Sequence, residues 1–151
     1  MAPASEAEAG SSPGRVSDDL VELLTVTQRR LARGLATVLA EDDATLEGYR
    51  LLRSLGGARG RSMGELVAAL HLPGPTLTRL VDGAVDAALA YRLPDPEDGR
   101  KVVVHLSERG RDRLTRLEAL VRAHESAVAT ALGSDRVAGL VRALTRVADE
   151  V

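Results

Sequence analysis

The feature that most constrains this 151-residue chain is a change of period near its middle. Between Ser62 and Val85 the apolar residues return every three or four positions in two short bursts, whereas between Tyr91 and Leu106 they fall in β-rich runs. The first burst opens with Ser62-Met63-Gly64-Glu65, the spacing at which a hydroxyl and a carboxylate cap each other's backbone at a helix start. It predicts a short helix with Leu66, Val67 and Leu70 inward, stopping near His71. The second begins only a few residues on, with Pro73 and Pro75 suited to a first turn, where a missing N–H costs nothing. Its inward stripe is Leu77, Leu80, Val81, Ala84 and Val85, which leaves Pro75, Thr78, Arg79 and Asp82 on the other side. Two short helices so tightly joined predict a helix-turn-helix. Tyr91-Arg92-Leu93 and Val102 to Leu106 then predict a β-hairpin whose charged tip runs from Pro94 to Arg100.

Helices flank this region. Ser17 before Asp18 and Asp19 has the chemistry of a helix start, and Leu20, Leu24, Leu31, Leu35 and Val38 continue at helical spacing to about Glu41. Thr45 can cap a second helix with Leu46, Tyr49, Leu52 and Leu55 on one face, ended by Gly56-Gly57. After the hairpin, Ser107 can cap a long helix bearing Leu114, Leu117, Val121 and Val128, with His124 between, to about Gly133. Ser134-Asp135 opens a last one with Val137, Leu140, Val141, Leu144 and Val147. Residues 1–16 mix Ala, Ser, Pro, Gly and Glu without periodicity, a composition that cannot bury enough apolar surface to offset its ordering, so a disordered tail is expected there. Its Gly10 to Gly14 matches the G-x-S-x-G elbow of hydrolases, but without the strand and helix that elbow requires.

The expected fold class is therefore mainly α with a small β-hairpin wing, as one domain over 17–151. Within it, residues 45–106 form a winged helix-turn-helix lobe, and 17–42 and 107–151 supply N- and C-terminal dimerisation helices. The chain has no Phe or Trp, so its core must come from Leu, Val and Ala, which suit helix packing. Zero cysteines exclude disulfides, thiolate zinc sites and a thiol redox switch. No apolar run approaches the ~18 residues of a membrane span and the N-terminus lacks a signal-peptide pattern, so a cytoplasmic protein without membrane contact is expected.

Enzymatic chemistry finds no support. His71, His105 and His124 share no short spacing, and His124-Glu125 begins an H-E-x-x-H pattern that Val128 breaks. The Gly/Arg run from Gly56 to Arg61 lacks the Lys of a phosphate-binding loop. With no nucleophile–base pair, metal cluster or cofactor loop, neither an enzyme nor a cofactor is expected. The net charge of -2 is no signature of a nucleic-acid binder, and residues 45–106 carry only eight bases against seven acids. Position matters more than the sum here.

A helix-turn-helix followed at once by a basic-tipped hairpin is the layout of a winged-helix DNA reader. A recognition helix presents its N-terminal residues to the major groove, which singles out Thr78 and Arg79 for base edges or phosphates. Ser62 and Thr76, near helix N-termini, suit phosphates. Arg100, beside Lys101 at the hairpin tip, can reach a neighbouring minor groove.

Thr76 to Asp82, Tyr91-Arg92, Asp95 to Lys101 and Leu106-Ser107-Glu108-Arg109-Gly110 resemble, in order and spacing, the MarR (multiple antibiotic resistance regulator) family. The resemblance covers about residues 17–150, with its specific motifs between 62 and 110. It implies a transcriptional regulator that binds a pseudo-palindromic double-stranded operator as an obligate homodimer built from the first, fifth and sixth helices. It also implies repression relieved by a small aromatic or lipophilic effector. The family's wing element maps onto Asp98 orienting Arg100, so the expected DNA contacts are Ser62, Pro75, Thr76, Thr78, Arg79, Arg92, Asp98, Arg100 and Lys101. Leu31, Leu35, Tyr49 and Arg53 are the expected ligand contacts. The alternative is a helical protein-interaction module without DNA binding. Two positions depart from the family pattern: Ala88 replaces a glycine after the recognition helix, and His71 replaces the usual turn residue. Because Ala88 disfavours a left-handed cap, that helix is expected to end differently or run longer.

Overall fold

The structure, a computed structural model, describes residues 13–57 and 59–150, with side chains from Asp19 onward. Helix α1 spans Pro13–Leu39 and passes into a 3-10 turn at Ala40–Asp42. Then come α2 (Leu46–Leu55), β1 (Arg61–Ser62), α3 (Met63–Leu70), α4 (Gly74–Asp86), β2 (Ala90–Pro94), β3 (Val102–Leu106), α5 (Glu108–Leu132) and α6 (Ser134–Glu150). The order and helix count match the expectation of a mainly α chain with a small β wing.

Helix α1 begins at Pro13 rather than near Ser17, so the last part of the expected tail is helical. The rest of that tail, with most of the hydrolase-like Gly10 to Gly14 match, lies outside the described residues. The chain forms two compact units, one up to Gly34 and one from Leu35 onward, with the division inside α1.

In the larger unit, α2 packs against α3, α4 and α5 around a core that includes Leu39, Leu51, Leu55, Leu66, Leu77, Val81, Val104 and Leu117. The core is aliphatic, as the missing Phe and Trp require, and Tyr49 is its one aromatic member. Burying such side chains contributes roughly 1.5–3 kcal/mol each.

Thr45, Ser62 and Ser107 cap helices where the sequence puts them, whereas Ser17 lies inside α1. Thr45 accepts from the Gly48 N–H at 3.0 Å, and Ser107 Oγ accepts from the Gly110 N–H at 2.9 Å. At α3 the full reciprocal box is present, Ser62 Oγ accepting from the Glu65 N–H while Glu65 Oε2 accepts from the Ser62 N–H.

The hairpin is part of a larger sheet than expected. A short strand β1 joins it, giving an antiparallel sheet in the order β1-β3-β2 with Arg61 opposite Val104 and Arg92 opposite Val104 on the other side. Two residues, Arg61 and the cap Ser62, carry too little pattern to be read as a strand. Gly60 is buried because β3 runs against it: a Cβ there would collide with the His105 ring and Val103. At the far end, α5 comes so close to the base of β2 that a Cβ on Gly110 would overlap the Leu89 carbonyl.

The connection between α4 and β2 departs from expectation. Helix α4 ends at Asp86, and Ala88 adopts the left-handed conformation at φ 57° that a non-glycine residue was expected to avoid. Four hydrogen bonds hold it there. The Ala88 and Leu89 N–H groups donate to the carbonyls of Val85 and Ala84, the Ala88 carbonyl accepts from Ser107 Oγ, and the Ser107 N–H donates to the Leu89 carbonyl. His71, the other departure, also takes the left-handed form at φ 54°, closing α3 as its C-cap.

Candidate nucleic-acid interface

Helix α4 is oriented by its buried stripe. Leu77, Val81 and Ala84 turn into the core, which places Pro75, Thr76, Thr78, Arg79 and Asp82 in the open. Thr78 Oγ1 donates to the Gly74 carbonyl at 3.0 Å, so its hydroxyl hydrogen is used within the helix and its lone pairs remain for an incoming donor. The Arg79 guanidinium has no hydrogen bond or ion pair among the described residues. It is an exposed fork of donors on the outer face of the helix.

The wing tip is built by its own backbone and two aspartates. The Asp95 N–H donates to the Lys101 carbonyl and the Lys101 N–H to the Asp98 carbonyl, both at 2.8 Å. Asp95 Oδ1 accepts from the Glu97 N–H at 2.8 Å and Asp98 Oδ1 from the Arg100 N–H at 3.2 Å. The second Asp98 oxygen stands 3.7 Å from Lys101 Nζ. In the structure Asp98 holds Arg100 through the backbone and pairs its charge with Lys101. An Asp two residues before an N–H favours this side-chain-to-backbone turn. The Arg100 guanidinium is consequently exposed and unpaired among the described residues.

Other expected contacts are already engaged. Ser62 Oγ donates to Glu65 Oε2 at 3.0 Å besides accepting from its N–H, so the capping box consumes the hydroxyl expected to meet a phosphate. Glu65 also pairs with Arg59 at 3.0 Å. The hydrogen bonds from the Ser62 backbone and then its side chain, with smaller help from Arg59 and Arg61, hold the Glu65 carboxyl below its ordinary pKa. Arg92, on β2, lies 2.6 Å from Asp82 Oδ1 on α4 and so joins the wing to the recognition helix. The sequence placed Asp82 on the outer face and Arg92 on the hairpin; only the fold brings the two together.

The larger unit also has a cleft of about 370 Å³ with an apolar floor that includes Leu51, Leu80 and Leu117, and with Arg79 and Arg113 on its walls. Arg113 is anchored at this level by donating to the Asp42 carbonyl and by lying 3.8 Å from Asp42 Oδ2. None of the expected ligand contacts lines this cleft. Tyr49 is 96% buried in the core, where its ring fills space between aliphatic neighbours, and Leu35 packs against that core. Arg53 is exposed on α2, and Leu31, half exposed, belongs to the N-terminal unit. Arg113 was missed because one Arg among many on a long helix has no distinguishing sequence signal. The stacked Tyr91 and His105 rings of the wing, 5.3 Å apart, were missed as well, although the hairpin register makes them direct cross-strand neighbours.

Residues 45–101, which hold α2 to the wing tip, match the MarR family model. An uncharacterized HTH-type transcriptional regulator of Mycobacterium leprae is 28% identical over 99 residues, 66% of this chain and 66% of that protein. The transcriptional repressor CouR bound to a 23-mer DNA duplex is 26% identical, with a TM-score of 0.81 over 93% of this chain and 99% of that one. A MarR mutant from E. coli complexed with operator DNA is 28% identical, with a TM-score of 0.78 over 91% of this chain and 99% of that one. Among the described residues, no helix is long and apolar enough to cross a membrane.

Proposed function

We propose that the chain is a member of the MarR family, whose model its residues 45–101 match, and that it is a sequence-specific regulator of transcription that binds double-stranded DNA as a homodimer. The observation that carries this reading is the placement of two guanidiniums unpaired among the described residues, Arg79 on the outer face of α4 and Arg100 at the wing tip. A helix and a hairpin of this kind enter adjacent grooves, the helix reading base edges and the wing following the minor groove. Thr76, Thr78 and Pro75 surround Arg79 at the helix's leading end, and the backbone N–H groups there suit a phosphate.

The DNA-binding lobe is assigned to 45–106, and the helices on either side to dimerisation. Two-fold symmetry then sets the operator as a pseudo-palindrome with half-sites about one turn, roughly 34 Å, apart. We assign the protein to the cytoplasm, as a repressor released when a small aromatic or lipophilic acid occupies the cleft below α4. Its apolar floor and two arginines suit that chemistry. Release requires unequal ligand affinity for the free and DNA-bound states. Such acids should therefore raise the melting temperature and lower operator affinity together, and a panel that moves neither removes the effector from this reading.

Selection of bound sequences from a random duplex pool tests the central part. Convergence on a two-fold site is the expected result. A pool that never converges would favour a helical protein-interaction module.

A further inference from the structure

The recognition helix carries more acid than base. Between Gly74 and Asp86 the one cation is Arg79, against Asp82 and Asp86. Asp86 is the last residue of the helix, away from its leading end, but Asp82 stands one turn beyond Thr78 on the exposed side. A bare carboxylate there would meet the phosphates of any duplex that the helix enters. Its charge is answered by Arg92, whose Nη2 lies 2.6 Å from Asp82 Oδ1. Both side chains remain partly open to solvent, 35% for Arg92 and 51% for Asp82. An exposed pair of this kind adds little to folding, so its presence on the DNA-facing side calls for another account.

We propose that Asp82 is a specificity-determining residue: its carboxylate holds the Arg92 guanidinium against the recognition helix and keeps that cation from serving the phosphates of unrelated DNA. The inference rests on the DNA-binding reading. A phosphate contact attracts every sequence equally and supplies most of non-specific binding. A base-reading contact separates one sequence from another. Tying Arg92 to Asp82 removes one cation per protomer from the first class while Arg79 stays free for the second. The bond also spans from α4 to β2, whose Arg92 is paired in register with Val104, so it sets the wing's base against the helix without a covalent link.

The test uses the full-length protein with its selected operator and an unrelated duplex of equal length, titrated at several salt concentrations, with thermal melts to confirm folding. Asp82→Asn frees Arg92, so affinity for the unrelated duplex should rise several-fold. The slope of log affinity against log salt should steepen by about 0.9 for each protomer, and the ratio of operator to unrelated affinity should fall. Arg92→Gln exposes the Asp82 carboxylate and should weaken both duplexes. The double variant Asp82→Asn/Arg92→Gln carries no net charge at the pair, as in the wild type, and should return the salt slope to its original value. Asp82→Glu should keep the wild-type slope. A purely structural clamp would leave the double variant as impaired as the worse single variant, and that result, or an unchanged slope in Asp82→Asn, overturns the proposal. Failure of the wild type itself to bind any duplex in a salt-dependent way would instead bring down the DNA-binding reading, and this inference with it.

Discussion

Ser107 holds Ala88 in the left-handed conformation: its Oγ donates to the Ala88 carbonyl at 2.7 Å while capping α5 by accepting from the Gly110 N–H. One hydroxyl thus joins the end of the recognition helix to the start of the next long helix. The left-handed form costs an alanine roughly 1–2 kcal/mol, a penalty glycine escapes. Ala88→Gly is expected to stabilise the fold by about 1 kcal/mol after the added freedom of the unfolded chain is counted, with DNA affinity unchanged. Thermal melts decide it: an equal or lower melting temperature would mean that Ala88 is not strained.

The capping box makes stability depend on acid. Glu65 is held below its ordinary carboxylate pKa of 4.5 by the Ser62 backbone and side-chain hydrogen bonds, so the unfolded chain binds more protons than the folded one through this group. Its contribution is fully present above the unfolded pKa and is lost as pH falls through the folded value. Glu65→Gln should flatten the decline of melting temperature with acidification below about pH 5, whereas Ser62→Ala should cost about 1 kcal/mol near neutrality through the lost cap. An acid limb as steep in Glu65→Gln as in the wild type would assign the sensitivity to other carboxylates.

The last helix has no buried residue, and Leu140, Val141, Leu144 and Val147 are 39–57% exposed. A row of that length on one amphipathic helix is an apolar surface that favours a partner, and the two-fold reading supplies a second copy. Leu144→Arg should leave the helical signal intact and convert dimers to monomers in analytical ultracentrifugation, with operator affinity falling in step. An unchanged dimer would place the assembly surface elsewhere.

The sequence made the fold legible through local signals. The helix starts at Thr45, Ser62 and Ser107 carry a hydroxyl at the N-cap, and the buried stripe of α4 follows from its period. What stayed hidden depends on contacts between elements or on small backbone choices. Strand β1 has two residues, and its pairing with β3 exists only once the hairpin is in place. Ala88 was expected to refuse a left-handed cap, but propensity yielded to the hydrogen bonds of Ser107, Val85 and Ala84. Among the candidate contacts, exposure was well read for Arg79 and Arg100, while partners were not. Arg92 is engaged by Asp82, Ser62 by Glu65 and Lys101 by Asp98, since a polar residue's neighbours across a fold leave no trace in its own local sequence. Tyr49 went to the core because its helix turns that face inward.

The measurement that bears most directly on the DNA-binding account is the salt dependence of operator affinity in the wild type and in Arg100→Ala. The Arg100 guanidinium is exposed at the wing tip, outside the core and unpaired among the described residues, so its loss should leave the melting temperature and the dimer unchanged. If the wing lies on DNA, Arg100→Ala should bind the selected operator more weakly, with the slope of log affinity against log salt flatter by about 0.9 for each protomer. The same affinity and the same slope in both proteins would contradict the account, because the wing would then not touch DNA.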